Sequence, residues 1–314
     1  MSPTSLQPSA KLLEKLGLVR TRFGNFEASL KPTREELEKY YRDNYYQVGN
    51  GSYLLHYDEE ELAYILGQVR LRDHLIQSRG WLAKGPKSLL DVGCGEGHTL
   101  KYFSDLGWTV QGLDFSQDGC QRNNPDCCQW LTQGDVFENI NHLIINKASY
   151  DMVMLDNVLE HVLDPLGLLQ GLHALVKPGG VLVIEVPNDF SIVQMAALNR
   201  GWIDRAFWVD MPQHLSFFDA KSLRSICTEA GWAFGELISD FPIDWYLANP
   251  NSNYIAPGLS GAGKGSQLGK GAHRARIALD NLMRETDPDG LIELYAAMAR
   301  MGVGRTLVGF FRRL

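Results

Sequence analysis

The 314-residue chain is 45% hydrophobic, enough to bury the core of one large domain with additions or of two domains. Its formal net charge of −7 argues against a general affinity for nucleic acid or anionic membrane. No apolar run approaches the roughly 20 residues that span a bilayer, so neither nucleic acid nor membrane is an expected partner.

The opening "MSPTSLQPSAKLLEKLGLVR" has no apolar core of signal-peptide length, and a cytoplasmic protein is expected. Residues 1–85 read as an N-terminal helical segment. Thr33 with Glu36 three residues later forms a predicted capping box. From Glu60 to Ile76, the residues Leu62, Ile65, Leu66, Val69 and Ile76 recur at helical spacing.

From residue 86 the pattern becomes short apolar runs alternating with helical ones: "SLLDV" (88–92), "TVQGLD" (109–114), "CQWLTQGD" (128–135), "DMVMLD" (151–156) and "VLVIEV" (181–186). Near-continuous apolar runs suit strands covered on both faces, so the fold class expected is α/β, a Rossmann-like, doubly wound, seven-stranded sheet. The helix before the fifth strand has Asp164 as N-cap, Pro165 at its first position, a face of Leu168, Leu169, Leu172 and Leu175, and "KPGG" (177–180) as its stop. A long connection (187–218), a helix from Asp219 to Ala230, a sixth strand (232–240) and a closing strand in "RTLVGFFRRL" complete the core domain, 86–240 with 304–314. Residues 241–303 then form a helical insertion or lid before the last strand, carrying a glycine-rich loop.

The five cysteines, Cys94, Cys120, Cys127, Cys128 and Cys227, are odd in number and lack paired C-x-x-C spacings, which suggests neither a disulfide framework nor a structural metal. Adjacent Cys127 and Cys128 on an extended strand would point to opposite faces. Glu160 and His161 are adjacent rather than i,i+4, so no metal is expected there either.

The strongest chemical signal is "LLDVGCGEGHTL", where a strand ends in Asp91 and passes through Gly93, Gly95 and Gly97 into a helix. Glycines permit a tight turn and close approach of a ligand, and the helix N-terminus offers unpaired N–H groups. Counting from Gly93, His98 falls where a dinucleotide fingerprint needs its last glycine, which disfavours hydride transfer. Asp114 ends the next strand about 20 residues past the loop, where a carboxylate can accept ribose hydroxyls. Asp135 in "QGDVF" follows the third strand, either to accept an adenine amino group with Val136 covering the ring or simply to cap a helix.

"LLDVGCGEG", "GLDFS", "GDVF", "DMVMLDNVLEHVLDP", "LVKPGGVLVIEVPND" and "HLSFF" appear in the motif order of the class I S-adenosylmethionine-dependent methyltransferases, which the chain resembles over about residues 86–240. The resemblance implies S-adenosylmethionine as cofactor. By position, Asp91, Gly93, Gly95 and Gly97 would surround its methionine part, with Asn157 near the methionine end. Asp114 and Phe115 would hold ribose and adenine, and Asp135 and Val136 would frame the adenine. Tyr45 and Tyr46 divide between helix packing and closing over the cofactor carboxylate. The nearest subgroup includes sugar and quinone-precursor methyltransferases, so the expected acceptor is a small molecule, with a hydroxyl of a sugar or nucleotide-linked sugar placed first. Transfer to nitrogen or carbon, or a non-catalytic cofactor-binding module, are the alternatives. The sequence does not give an oligomeric state.

His214 in "WVDMPQHLSFF" is the expected general base, because the connection after the fifth strand begins on the ligand-binding edge of a parallel sheet and an imidazole titrates in the right range. The alternative is a histidine that fixes the loop, and spacing alone does not decide whether Asp189 or Asp210 orients it. Trp208, Lys264 and His273 are expected to face the acceptor. "GLSGAGKGS" (258–266) nearly spells a phosphate-binding loop, but Gly265 occupies the hydroxyl position, no buried strand precedes it and glycines continue to Gly271. It reads instead as a lid whose Lys264, Lys270, His273 and Arg274 would meet an acceptor phosphate, or as a plain surface loop.

Overall fold

The computed structural model describes residues 6–40, 57–85, 87–255 and 266–314. Tyr45, Tyr46, Lys264 and the centre of the glycine-rich loop lie outside the described residues.

The chain begins with α1 (Ala10–Lys15), β1 (Leu18–Arg20), β2 (Phe26–Ala28), α2 (Arg34–Tyr40) and α3 (Glu59–Ser78). It continues with β3 (Ser88–Val92), α4 (His98–Asp105), β4 (Thr109–Asp114), α5 (Asp118–Asn123), β5 (Leu131–Gln133), α6 (Val136–Ile145), β6 (Tyr150–Asp156), α7 (Pro165–Leu175) and β7 (Val176–Pro187). The last part holds α8 (Ile192–Asn199), β8 (Ser216–Phe217), α9 (Ala220–Glu229), β9 (Ala233–Ser239), α10 (Gln267–Thr286), α11 (Pro288–Met301) and β10 (Thr306–Arg312). A seven-stranded sheet has the order β5-β4-β3-β6-β7-β10-β9, and β5, β4, β3, β6 and β7 run parallel. This is the Rossmann-like α/β fold expected from the alternation of apolar runs. A second sheet of three strands joins β1, β2 and β8.

Three local expectations are corrected. Residues 18–28, read as part of a helical segment, form a hairpin whose second strand pairs Phe26 with Phe217 about 190 residues further along. Thr21 accepts from Gly24 N–H, and its own N–H donates to Asn25 O at 2.9 Å, so the turn closes locally while the pairing that stabilises it is remote. The third parallel strand is only Leu131–Gln133, because Pro125–Trp130 forms a short 3-10 helix that starts on proline and holds both Cys127 and Cys128. "KPGG" lies inside β7 rather than stopping α7, and an irregularity in the β6–β7 pairing between Tyr150 and Met152 accommodates it.

Several punctuation marks act as read. Thr33 N–H donates to Glu36 Oε2 at 2.8 Å and Glu36 N–H returns to Thr33 Oγ1 at 3.2 Å, the reciprocal capping box. Asp164 caps α7 through Gly167 N–H at 2.9 Å, with Pro165 in its first turn.

The chain divides into two compact units. Unit 1 comprises 1–31, 186–223 and 237–308; unit 2 comprises 32–185, 224–236 and 309–314. Unit 2 is built on Leu89, Leu90, Val92, Met152, Val153, Leu155 and Val181 to Ile184. Strands β3 and β6 are thus apolar on both faces, the pattern of a strand inside a parallel sheet. Unit 1 has its own core, with Leu18, Phe26, Phe190, Met195, Trp208, Phe217, Leu247 and Tyr254 buried together. Among the described residues no helix is long and apolar enough to cross a membrane.

Candidate cofactor site

The site is built in unit 2 where β3, β4 and β6 end. At Gly93 the chain turns out of β3 with φ +74°, and a Cβ there would lie 2.3 Å from Val158 Cγ2, so only glycine fits. Gly97, at φ +76°, is the N-cap of α4 and would bring a Cβ within 2.9 Å of Cys120 Sγ. The loop is therefore glycine-rich for packing as well as for ligand approach. It is tied to β4 from both sides: Gly93 N–H donates to Leu113 O at 2.7 Å and Gly95 N–H donates to Asp114 Oδ2 at 2.8 Å. Asp114 Oδ1 accepts from Ser116 N–H at 3.0 Å. Both carboxylate oxygens are thus anchored to the backbone at the end of β4.

Around this turn lies a cavity of about 380 Å³, within the usual range of roughly 300–1,000 Å³ for small-ligand sites. Gly93, Asp114, Phe115, Asp135, Val136 and Asn157, six of the residues picked from sequence, line it together. Leu37, Leu113, Phe137 and Val162 add apolar wall, and Arg34, Asp156 and His161 add polar groups. Asp135 both lines the cavity and caps α6 through Glu138 N–H at 2.9 Å, so the two readings of this residue hold at once. Arg34, at the start of α2, reaches Glu138 at 2.5 Å and Asp135 at 3.5 Å.

Asp91, Gly95 and Gly97 lie outside the lining and shape the turn behind it. Asp91 is 3% exposed. Burial pushes its carboxyl well above the usual range, Asp156 and Asp114 push it further, and Arg72 opposes them. Asn157 follows β6 with φ +52°; its N–H donates to Glu185 O at 2.9 Å and its side chain to Glu185 Oε1 at 3.0 Å. Glu96, in the loop, accepts from Tyr57 Oη at 2.8 and 2.9 Å and from Asn123 at 2.9 Å.

The remaining expected site residues belong to unit 1. His214 lies in the connection between α8 and β8, its N–H donating to Asp210 O at 2.7 Å and its ring 6.4 Å from Phe217. Asp189 does not orient it, because both Asp189 carboxylate oxygens are buried without a hydrogen-bond partner among the described residues. Trp208 is 1% exposed and packs edge-on against Phe190 and Phe207. His273 sits on α10, 3.1 Å from Arg276.

Sequence reasoning missed Arg34, Leu37, Arg72 and Glu185. The first two lie on a short helix whose partner Glu138 is 104 residues away. Arg72 looks in sequence like any charged position on an amphipathic helix. Its burial at 4% follows only from where α3 packs.

The cavity suits an adenosyl amino acid: apolar side chains for a flat base, an acceptor carboxylate at a strand end for ribose hydroxyls, and acidic groups for a cation. A family model described as "Methyltransferase domain" matches residues 55–236. A ubiquinone biosynthesis O-methyltransferase from Haemophilus ducreyi is 30% identical over 189 residues, 54% of this chain and 77% of that protein. One of the same name from Actinobacillus pleuropneumoniae is 28% identical over 62% of this chain and 86% of its own length. Among solved structures, a SAM dependent methyltransferase from Archaeoglobus fulgidus is 18% identical, with 78% of this chain and 94% of that one covered and a TM-score of 0.46.

Proposed function

We propose an acceptor and a set of residue roles on one premise: the chain belongs to the methyltransferase-domain family and is a class I S-adenosylmethionine-dependent methyltransferase. Its acceptor is a small molecule and the atom methylated is an oxygen. The observation that carries this reading is the match to ubiquinone biosynthesis O-methyltransferases over more than three quarters of their length. On that ground a hydroxyl of a quinone-type precursor is placed ahead of the sugar hydroxyl expected from sequence.

In this reading Asp114 accepts the ribose hydroxyls, Phe115, Val136 and Leu37 cover the adenine, and Asp135 accepts from its amino group. Asn157 and the Gly93 turn meet the methionine end. The bound cofactor supplies an activated methyl on a sulfonium. The protein's part is to align the acceptor oxygen, exclude competing water and remove the hydroxyl proton. His214 is assigned that last role, since imidazole is the side chain whose ordinary pKa near 6.5 best matches a base at neutral pH.

The test is transfer of a radiolabelled methyl group from S-adenosylmethionine to a panel of phenolic and sugar acceptors. Label is expected in a phenolic product as an ether, and kcat for His214→Ala is expected to fall at least about 100-fold, within the range of general-base catalysis. Label on nitrogen or carbon would overturn the oxygen assignment. Undiminished transfer by His214→Ala would remove that residue from the chemistry.

A further inference from the structure

Three of the five free cysteines, Cys120, Cys127 and Cys128, gather behind the glycine turn of unit 2. Cys120 lies on α5 and is fully buried, while Cys127 and Cys128 lie on the short 3-10 helix Pro125–Trp130, which packs against α5. A 3-10 turn sends successive side chains about 120° apart, so Cys127 is buried and its neighbour Cys128 is partly exposed. Adjacency in sequence has given two thiols of different reach. The Cys120 thiol donates to Asn124 O at 3.4 Å and has the Cys128 thiol as a hydrogen-bonding neighbour. Burial pushes Cys120 up to about 12, and the Cys128 sulfur beside it adds to the push. Cys120 is therefore a poor first target for an oxidant, whereas Cys128 can meet one from solvent.

The cluster is packed directly onto the turn. A Cβ at Gly97 would lie 2.9 Å from Cys120 Sγ and 3.4 Å from Cys127 Cβ, and one at Gly119 would lie 3.1 Å from Gly95 O. At that density neither α5 nor the turn can move without the other. Hydrogen bonds join them as well: Asn123 Nδ2 donates to Glu96 Oε1 at 2.9 Å and Asn124 Nδ2 donates to Glu96 O at 2.8 Å. Gly95 N–H in turn holds Asp114 Oδ2 at 2.8 Å, and Asp114 lines the cavity. A displacement of Cys120 is thus passed through residues 95–97 to the cavity wall.

We propose that Cys128 and Cys120 are an oxidation site, joined as a disulfide when the protein meets a peroxide, and that the bond distorts the glycine turn and weakens cofactor binding. In the first step Cys128 sulfur attacks a peroxide oxygen: the O–O bond breaks, an S–O bond forms, and Cys128 becomes a sulfenic acid as one water leaves. In the second step Cys120 sulfur attacks Cys128 sulfur: the S–S bond forms, the S–O bond breaks, and hydroxide departs with the Cys120 proton as a second water. Two thiols are oxidised and one peroxide is reduced. The bond brings the sulfurs to about 2 Å and draws α5 and the 3-10 helix together, against a turn that is already in contact. The effect on binding rests on the unit 2 cavity as the cofactor site, whereas the bond itself does not.

The test treats the reduced full chain with hydrogen peroxide, blocks remaining thiols and digests without reductant. Trypsin cuts after Arg122 and so separates Cys120, in peptide 102–122, from Cys127 and Cys128, in peptide 123–147. The two peptides should emerge linked, with fragmentation placing the bond on Cys128, and the link should be absent in Cys128→Ser. Calorimetric titration with S-adenosylmethionine should show affinity at least about tenfold lower in the oxidised wild type, restored by dithiothreitol, and changed by no more than about twofold in peroxide-treated Cys128→Ser. Cys128→Ala, read in parallel, covers a folding defect of the serine variant. Unlinked peptides, or a bond placed on Cys127, would overturn the assignment of the pair. Linked protein with unchanged affinity, or an equal loss in the variants, would overturn the coupling to the turn. Reduced wild type that does not bind S-adenosylmethionine would overturn the cofactor assignment and the coupling with it, while the peptide map still decides the pair.

Discussion

Two arginines are set beside carboxylates, Arg72 of unit 2 with a side chain 5% exposed and Arg305 of unit 1 with a side chain 24% exposed, and the two clusters are solved differently. In unit 2, Arg72 bridges Asp156 and Glu185 directly. Burial alone would lower its pKa, but those two carboxylates more than compensate and hold the guanidinium firmly charged. In unit 1, Arg305 lies 3.9 Å from Asp244, whose oxygens are already taken by Tyr254 Oη at 2.6 Å and Gln194 Nε2 at 3.1 Å. Asp189, 2% exposed, has no hydrogen-bond donor among the described residues, and burial raises its pKa to about 7, against the pull of Arg305 and with a push from Asp244. A buried charge is tolerable when its partner is in contact. When the partner is only nearby, the group changes protonation instead.

The sharpest way to break this comparison is to delete each arginine. Arg72→Met should cost about 3–5 kcal/mol in urea unfolding, because two opposed carboxylates are left buried without their cation. Arg305→Met should cost less, about 1–2 kcal/mol, since Asp244 keeps two donors. Equal losses would mean that direct bridging does not distinguish the clusters.

The next effect depends on pH. The folded-state pKa of Asp189 is raised, so the folded protein binds a proton that the unfolded chain has released. As pH rises from about 4 to about 7 this group's contribution to stability falls, and the full penalty is present above pH 7. Asp189→Asn should therefore raise the melting temperature by a few degrees at pH 8 and give no gain at pH 4. A gain of the same size at both pH values would contradict an ionised, unpaired carboxylate. The smallest effect is expected at Arg34, whose side chain is 51% exposed. Arg34→Ala should change stability by less than about 1 kcal/mol, as for other solvent-screened pairs, and raise KM for the cofactor by a few-fold.

The two units also differ in how much of them is legible in sequence. Unit 2's turn was legible because its chemistry is local: "DVGCGEG" joins strand, glycines and helix in a dozen residues, and Asp114, Asp135 and Asn157 each follow an apolar run that announces a strand end. The β1–β2 hairpin was not, since its stabilising pair is Phe26 with Phe217. The same holds for Arg72, whose partners are 84 and 113 residues away. Trp208 read as facing the acceptor, yet it is a core residue of unit 1, because an aromatic in a loop looks the same in sequence whether the loop folds inward or outward.

We propose that a strand-end carboxylate in the unit 2 cavity, Asp114, holds S-adenosylmethionine. Calorimetric titration of that cofactor into wild type and Asp114→Ala tests it most directly. One molecule should bind per chain, with affinity reduced at least about 100-fold in the variant, as expected when charge-assisted hydrogen bonds to a ligand are lost. Unchanged affinity in an Asp114→Ala protein that melts like wild type would contradict it.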